Sequence, residues 1–159
     1  MVQYGSNEVA FIGGRDSANT RIAEIDIYNL ESETWSLGPE LPADIELTRG
    51  IGCQKIENAN TIVLGCASVS VNQTTREIIK NGRKLYTLDL SNDQYTFQRN
   101  CWSHSFFEKL DSDTVIVSGA NLGVWTFDME NGLRRLNTTT TRHTQGDAFT
   151  LPDGTLNCG

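Results

Sequence analysis

The chain has 159 residues, a net charge of −7 and a pI of about 4.7, with 38% hydrophobic and 21% charged residues. That is enough chain for one domain of ordinary size with a single core, and too apolar a composition for wholesale disorder. The acidity argues against sequence-independent nucleic-acid binding, which needs a basic face. No apolar run reaches the roughly 18 residues of a spanning helix, and the opening M-V-Q-Y-G-S-N-E-V lacks the basic and apolar regions of a signal peptide.

Strand signals follow one another along the chain. E-V-A-F-I-G-G (8–14), A-E-I-D-I-Y (23–28), T-I-V-L-G (61–65), K-L-Y-T-L-D-L (84–90), T-V-I-V-S-G (114–119) and G-V-W-T-F-D-M (123–129) are short, rich in β-branched or aromatic residues, and bounded by polar turns. No stretch holds helical periodicity over 11 residues or more. T-T-R-E-I-I-K-N-G (74–82) reads as at most one turn of helix inside a loop.

The spacing of these strands repeats. Three of them, and G-T-L-N-C-G at 154–159, end in a small-residue pair or its beginning, at Gly13-Gly14, Gly65-Cys66, Gly119-Ala120 and Gly159, at intervals of 52, 54 and 40 residues. A period of this size with several strands per unit is the signature of propeller blades. After each pair comes a hairpin with an acidic or amide turn. Tyr28 and Trp35 flank N-L-E-S-E-T, Leu88 and Tyr95 stand at the same gap, and Phe127 opens a slightly shorter version. Before each pair another strand reaches a tight polar turn: E-N-A-N, D-S-D or P-D-G. Each full unit is therefore four antiparallel strands, a to d. The expected blades are 8–40 (strands b to d), 49–98, 103–136 and the start of a fourth at 143–159. Blade 1 is expected to lack strand a, because only seven residues precede Glu8.

A b strand ending in Gly-Gly, a Tyr and a Trp about seven apart, then Pro and Arg before the next strand resembles a kelch repeat. Blade 1 carries the pattern best, in Gly13-Gly14, Tyr28, Trp35, Pro42 and Arg49. Blades 2 and 3 depart from it: Cys66 and Ala120 replace the second glycine, and Tyr95 and Leu133 stand near the Trp position. The resemblance implies an all-β fold, a partial kelch-type β-propeller of about three blades and part of a fourth, related to the central domain of galactose oxidase. Propellers close with 4–8 blades. The expected completion is therefore by remaining blades of a longer parent protein or by a second copy of the chain. On this reading Tyr28, Trp35, Tyr95 and Phe127 fill the wedge between blades. Gly13, Gly14, Gly65 and Gly119 answer backbone needs and do not form a phosphate cradle, since no G-x-G-x-x-G or P-loop pattern accompanies them.

Little in the sequence points to catalysis. The two histidines, His104 and His143, fall at the starts of a strands and read as structural. Ser103 and Ser105 are chain neighbours of His104, and adjacent strand residues face opposite ways, so no dyad forms. Glu31, Glu33, Asp93, Asp111, Asp113 and Asp153 read as turn formers. No His/Tyr set matches the copper ligands of galactose-oxidase-like enzymes, and no cofactor or metal is expected. The cysteines Cys53, Cys66, Cys101 and Cys158 lie 13, 35 and 57 residues apart, without the paired short spacings of a zinc site. They read as buried strand cysteines, with a Cys53–Cys66 disulfide across one hairpin left open.

Function is expected in the loops at one end of the blades. The b–c loops are 15–21, 67–83 and 120–123, and the d–a loops are 38–48, 98–102 and 137–142. The 67–83 loop is the longest and gathers Arg76, Lys80, Arg83 and Lys84 in an acidic chain. Arg15, Asp16 and Arg21 charge the loop at the same position of blade 1. The expected function is non-enzymatic: a protein or peptide partner held by Arg15, Asp16, Arg21, Arg76 and Lys80. The resemblance leaves open the substrate-recognition part of a cullin ubiquitin-ligase adaptor, an extracellular adhesion module, and a non-catalytic piece of a galactose-oxidase-like enzyme. The first needs a BTB domain, which these residues lack. Asn72 and Asn137 head glycosylation sequons, a number that chance supplies in a chain rich in Asn and Thr. Their loop placement leans extracellular, whereas the unpaired cysteine spacing leans cytoplasmic.

Overall fold

The computed structural model describes residues 1–14, 16–18, 22–45, 51–67, 69–71, 74–101, 105–118, 124–136, 148–150 and 156–158. The side chains of 69–71, 78–81, 148–150 and 156–158 are not part of that description. The described residues are all-β. Sheet 1 runs in the order β1 (Val2–Gln3), β2 (Glu8–Ile12), β3 (Ile25–Asn29) and β4 (Thr34–Leu37). Sheet 2 contains β5 (Gly52–Ile56), β6 (Thr61–Gly65), β9 (Lys84–Asp89) and β10 (Gln94–Asn100). Sheet 3 contains β11 (Phe106–Lys109), β12 (Val115–Ser118), β13 (Val124–Asp128) and β14 (Gly132–Arg135). Two further hairpins are β7 (Val69–Val71) with β8 (Ile78–Asn81), and β15 (Ala148–Thr150) with β16 (Leu156–Cys158). Each four-stranded sheet is antiparallel in the order a, b, c, d, as a propeller blade requires.

Two features differ from expectation. Blade 1 does have a strand a: Val2 and Gln3 pair with Ala10 and Val9. Seven residues suffice because Gly5, Ser6 and Asn7 make the turn and Tyr4 N–H donates to the Glu8 carbonyl. Residues 78–81, expected as part of a helical turn, are strand β8. The adjacent Ile78 and Ile79 are β-branched and have a β7 partner within reach across a short turn, which outweighs a single turn of helix.

One chemical device builds all three c–d turns. Asn29, Asp89 and Asp128 end the three c strands at equivalent register positions. Asn29 Oδ1 accepts from the Ser32 and Glu31 amides at 2.9 and 3.0 Å. Asp89 Oδ1 accepts from the Ser91 amide at 2.8 Å, and Asp128 Oδ1 from the Asn131 amide at 2.6 Å. Each turn then closes on a left-handed residue: Glu33 (φ 55), Asp93 (φ 56) or Gly132 (φ 66). Short Asx side chains satisfy the turn amides locally, so the turns need no tertiary partner for those groups.

Two cores join the sheets. Ala10, Ile25 and Ile27 of sheet 1, with Leu41 and Ile45 from the d–a connection, meet Ile62, Leu64, Tyr86 and Leu88 of sheet 2. Val63, Leu85 and Ile56 from the other face of sheet 2 meet Phe107, Val115, Val117, Phe127 and Leu133 of sheet 3. Sheet 2 is thus covered on both sides. Its strand β6 is buried throughout, and this is why T-I-V-L-G reads as a continuous run and not an alternation. Each fully buried Leu or Ile here contributes about 1.5–3 kcal/mol. Tyr95 and Phe127 take the wedge positions expected of them. Trp35 occupies in sheet 1 the position of Tyr95, tilted against Tyr28 at 4.8 Å and near Phe11 at 5.4 Å, but remains 61% exposed.

Candidate functional site

In an antiparallel a–b–c–d blade the b–c and d–a connections leave from the same end. At that end of sheet 2 the long b–c connection folds into its own hairpin. Val69, Ser70 and Val71 of β7 pair with Asn81, Lys80 and Ile78 of β8, with a register shift between Ser70 and Val71. The tip, Thr74 to Glu77, is exposed. Thr75 Oγ1 donates to Glu77 at 3.1 Å, and Arg76 takes a left-handed conformation (φ 63) between them. The hairpin presents the Arg76 side chain to solvent and sets Lys80 on its second strand.

The base from which this hairpin rises is tied down. Gly65 carries φ +127, and a Cβ there would run into the Lys84 carbonyl of the neighbouring strand. Only glycine permits so close an approach. Cys66 follows at φ 51 and forms a disulfide with Cys101, at a Cα–Cα distance of 5.4 Å. The Cys66 amide donates to the Lys84 carbonyl (2.9 Å) and the Cys101 amide to the Arg83 carbonyl (3.0 Å). The bridge therefore joins the end of strand b to the end of strand d across the start of strand c. The expectation of unpaired strand cysteines fails here, and so does a Cys53–Cys66 pairing. Cys53 lies opposite Leu64 in the register and is a free thiol, whose pKa burial pushes up.

A polar cluster binds this base to blade 1. Asp44, in the d–a connection, accepts from Lys84 Nζ and from the Tyr86 hydroxyl, both at 2.7 Å. Lys84 also lies over the Phe97 ring at 5.7 Å. Burial, and then the bond to the Asp44 carboxylate, raise the Tyr86 pKa to about 12. Lys84, expected among the loop's basic residues, is thus engaged in joining blades.

The other expected contact residues divide. Asp16 is exposed in the b–c connection of blade 1. Arg15 and Arg21 lie outside the described residues, as do Asn72, Asn137, His104 and His143. No sequence signal marked the hairpin as a folded element.

The opposite end of the blades holds a groove of about 400 Å³ between blades 2 and 3, lined by Ile56, Ala59, Met129 and the acidic residues Asp113, Asp128 and Glu130. Two of its carboxylates are engaged by neighbouring side chains. Asp113 accepts from Asn58 at 3.0 Å, and Asp128 from Arg134 at 2.8 Å. Burial would raise the Asp128 carboxyl, but the Asn131 and Arg134 bonds outweigh it and hold the pKa below the usual range. Among the described residues no group of three or more His, Cys, Asp or Glu side chains could hold a metal, and no helix is long and apolar enough to cross a membrane.

Residues 12–42 match the Kelch motif. The match runs from the end of strand b in blade 1 through the Tyr28–Trp35 hairpin to Pro42. Three four-stranded antiparallel sheets with this motif in the first are consistent with blades of a partial kelch-type β-propeller. No curated protein matches the chain. A kelch-repeat module is generally a protein-interaction module and generally non-catalytic, and that is the class to which the motif and the blades point.

Proposed function

We propose that this chain is a non-enzymatic binding module that holds a protein or peptide partner at the b–c end of its blades, through Arg76 and Lys80 of the inserted hairpin and Arg15, Asp16 and Arg21 of the blade 1 loop. One observation carries the reading. The longest connection in the chain forms a two-stranded hairpin with an exposed Thr74–Glu77 tip, raised on a base that a disulfide and a partly exposed ion pair tie down. A rigid scaffold with one elaborated, charged projection is how β-rich modules present a contact surface. The basic residues on an otherwise acidic chain favour an acidic segment of the partner.

The test is cross-linking mass spectrometry with captured partners, wild type against the pair Arg76→Glu and Lys80→Glu. Cross-links concentrated in 67–83 and binding weakened by about tenfold or more in the double variant are expected. Wild-type capture by the double variant, or cross-links clustered at the groove end, would refute it. A second reading, an extracellular adhesion module, is favoured by the Cys66–Cys101 disulfide, because such bridges persist in oxidising compartments. Intact-mass analysis after secretory expression tests that reading: glycans on Asn72 and Asn137 support it, and their absence counts against it.

A further inference from the structure

One space recurs between successive blades, and the chain fills it in one place and leaves it open in the other. The strand registers set Gln3, Lys55 and Lys109 level with one another, opposite Val9, Ile62 and Val115. The next residue along strand a is therefore Tyr4 in blade 1 and Ile56 in blade 2. The residue that follows the Asx of the c–d turn is Leu90 in blade 2 and Met129 in blade 3. Between blades 1 and 2, Tyr4 reaches across to that turn. Its ring joins Leu90 and Tyr95 at the margin of the inter-blade core, and its hydroxyl donates to Asp93 Oδ1 at 3.0 Å. Between blades 2 and 3, Ile56 takes the Tyr4 position with neither ring nor hydroxyl. The space beyond it is the groove of about 400 Å³, walled by Ile56, Ala59 and Met129 and rimmed by Asp113 and Glu130. Asp113 and Asp128 are already bonded, to Asn58 and Arg134. Glu130 is exposed and bonds no described residue.

We propose that this groove is a docking site for a tyrosine side chain presented by a partner protein, its ring on Ile56, Ala59 and Met129 and its hydroxyl donating to Glu130. The occupant is read from the chain itself, which closes the equivalent space with a phenol bonded to a turn carboxylate. Met129 stands where Leu90 does, and Glu130 offers a c–d turn carboxylate as Asp93 does. A flexible thioether packs well against an aromatic ring, and a carboxylate makes a stronger acceptor than a neutral oxygen. A phenylalanine would fill the apolar part and leave Glu130 without its bond. A lysine would satisfy the charge but bring no ring to Met129. The groove lies at the opposite end of the blades from the inserted hairpin, so the proposal goes beyond the hairpin contact and does not depend on it.

The experiment is methyl NMR titration of the full chain with the capped tripeptide Gly-Tyr-Gly, against capped Gly-Phe-Gly. Saturable shifts at the Ile56 and Met129 methyls are expected, with a dissociation constant of about 1 mM, the range of a single side chain. The phenylalanine peptide should bind about tenfold more weakly, since it forgoes one hydrogen bond to a charged group. Glu130→Ala, on an exposed turn, should bring the two peptides to equal affinity. Ile56→Tyr should close the groove from within, as Tyr4 does, and abolish the shift at Met129. Ile56 is 1% exposed, so circular dichroism checks that this variant folds, and Glu130→Ala tests the site by itself if it does not. Arg76→Glu and Lys80→Glu should leave the titration unchanged. Absence of saturable shifts at Ile56 and Met129 would overturn the proposal. So would equal affinity for the two peptides in the wild-type chain, a tyrosine preference that survives Glu130→Ala, or binding lost with the hairpin variants. p-Cresol, the bare side chain, should bind no more tightly than the tripeptide; tighter binding would mark a small-molecule site that a peptide backbone obstructs, and would also overturn it.

Discussion

Replacing Cys66 and Cys101 by alanine opens the one covalent loop among the described residues. The two cysteines are 35 residues apart in sequence. In the chain-entropy account, a loop of that length restrains the unfolded chain by about 13 cal/mol/K, or about 4 kcal/mol at room temperature. A domain with total stability of about 5–15 kcal/mol loses a large share of it. Urea denaturation of the oxidised chain, the double alanine variant and the reduced chain measures the effect, all in a Cys53→Ala background to prevent thiol exchange. With an m-value of about 2 kcal/mol/M, the midpoint should fall by about 2 M. The reduced chain should track the double variant, because the crosslink and not the sulfur atoms supplies most of the difference. Non-reducing peptide mapping of the wild-type chain, with Cys53 present, should recover Cys66 joined to Cys101. Coincident midpoints for the oxidised and reduced chains would refute the loop argument, and a Cys53–Cys66 linked peptide would refute the pairing.

Other perturbations follow from the same geometry. Gly65→Ala should destabilise by about 2 kcal/mol or more, since strain at a left-handed position adds to a clash with the Lys84 carbonyl. Gly14→Ala (φ +115, nothing within 4 Å) should cost about 1 kcal/mol, and equal losses in the two variants would contradict this reading. Leu88→Ala, at a fully buried site between sheets 1 and 2, should cost about 2–5 kcal/mol in chemical denaturation, while Leu37→Ala on the open face should change little. Tyr4 and Tyr86 both have pKa values raised to about 12, by burial and then by bonds to Asp93 and Asp44. Their folded pKa values lie above the unfolded value near 10. The stability they contribute is therefore full below about pH 10 and is lost as pH rises toward 12. Melting temperature should fall across that window, and less steeply in Tyr4→Phe; a fall that begins well below pH 10 would point to another group.

Much of this architecture is local chemistry that can be read along the chain. The Asx residues at Asn29, Asp89 and Asp128 close their turns with amides two or three residues away. The strand runs declare themselves by β-branched content, and the repeat spacing supplies their order. Strand a of blade 1 escaped because two residues carry no periodic signal; pairing with β2 makes them a strand. The b–c hairpin escaped for a similar reason: its two short strands hold each other, and neither is marked strongly by itself. Of the contact residues expected at that end, Asp16, Arg76 and Lys80 fall on described loop or hairpin positions; charge in a long loop was the signal for Arg76 and Lys80, and a charged loop at the same position of blade 1 for Asp16.

By itself the sequence determined the blade: four antiparallel strands, the polar turns between them, the glycine pair at the bend and the large residues set for the wedge. These depend on interactions within a few residues or on a pattern that repeats in register. The tertiary structure alone decided which cysteines join, because Cys66 and Cys101 meet only once three strands lie side by side. It alone decided that Lys84 belongs to an inter-blade cluster with Asp44 and Tyr86. And it separated three equivalent wedge positions into one that is buried, Leu133, one that is partly buried, Tyr95, and one, Trp35, that faces solvent, since burial depends on which surface lies opposite, and no residue carries that information in its own neighbourhood.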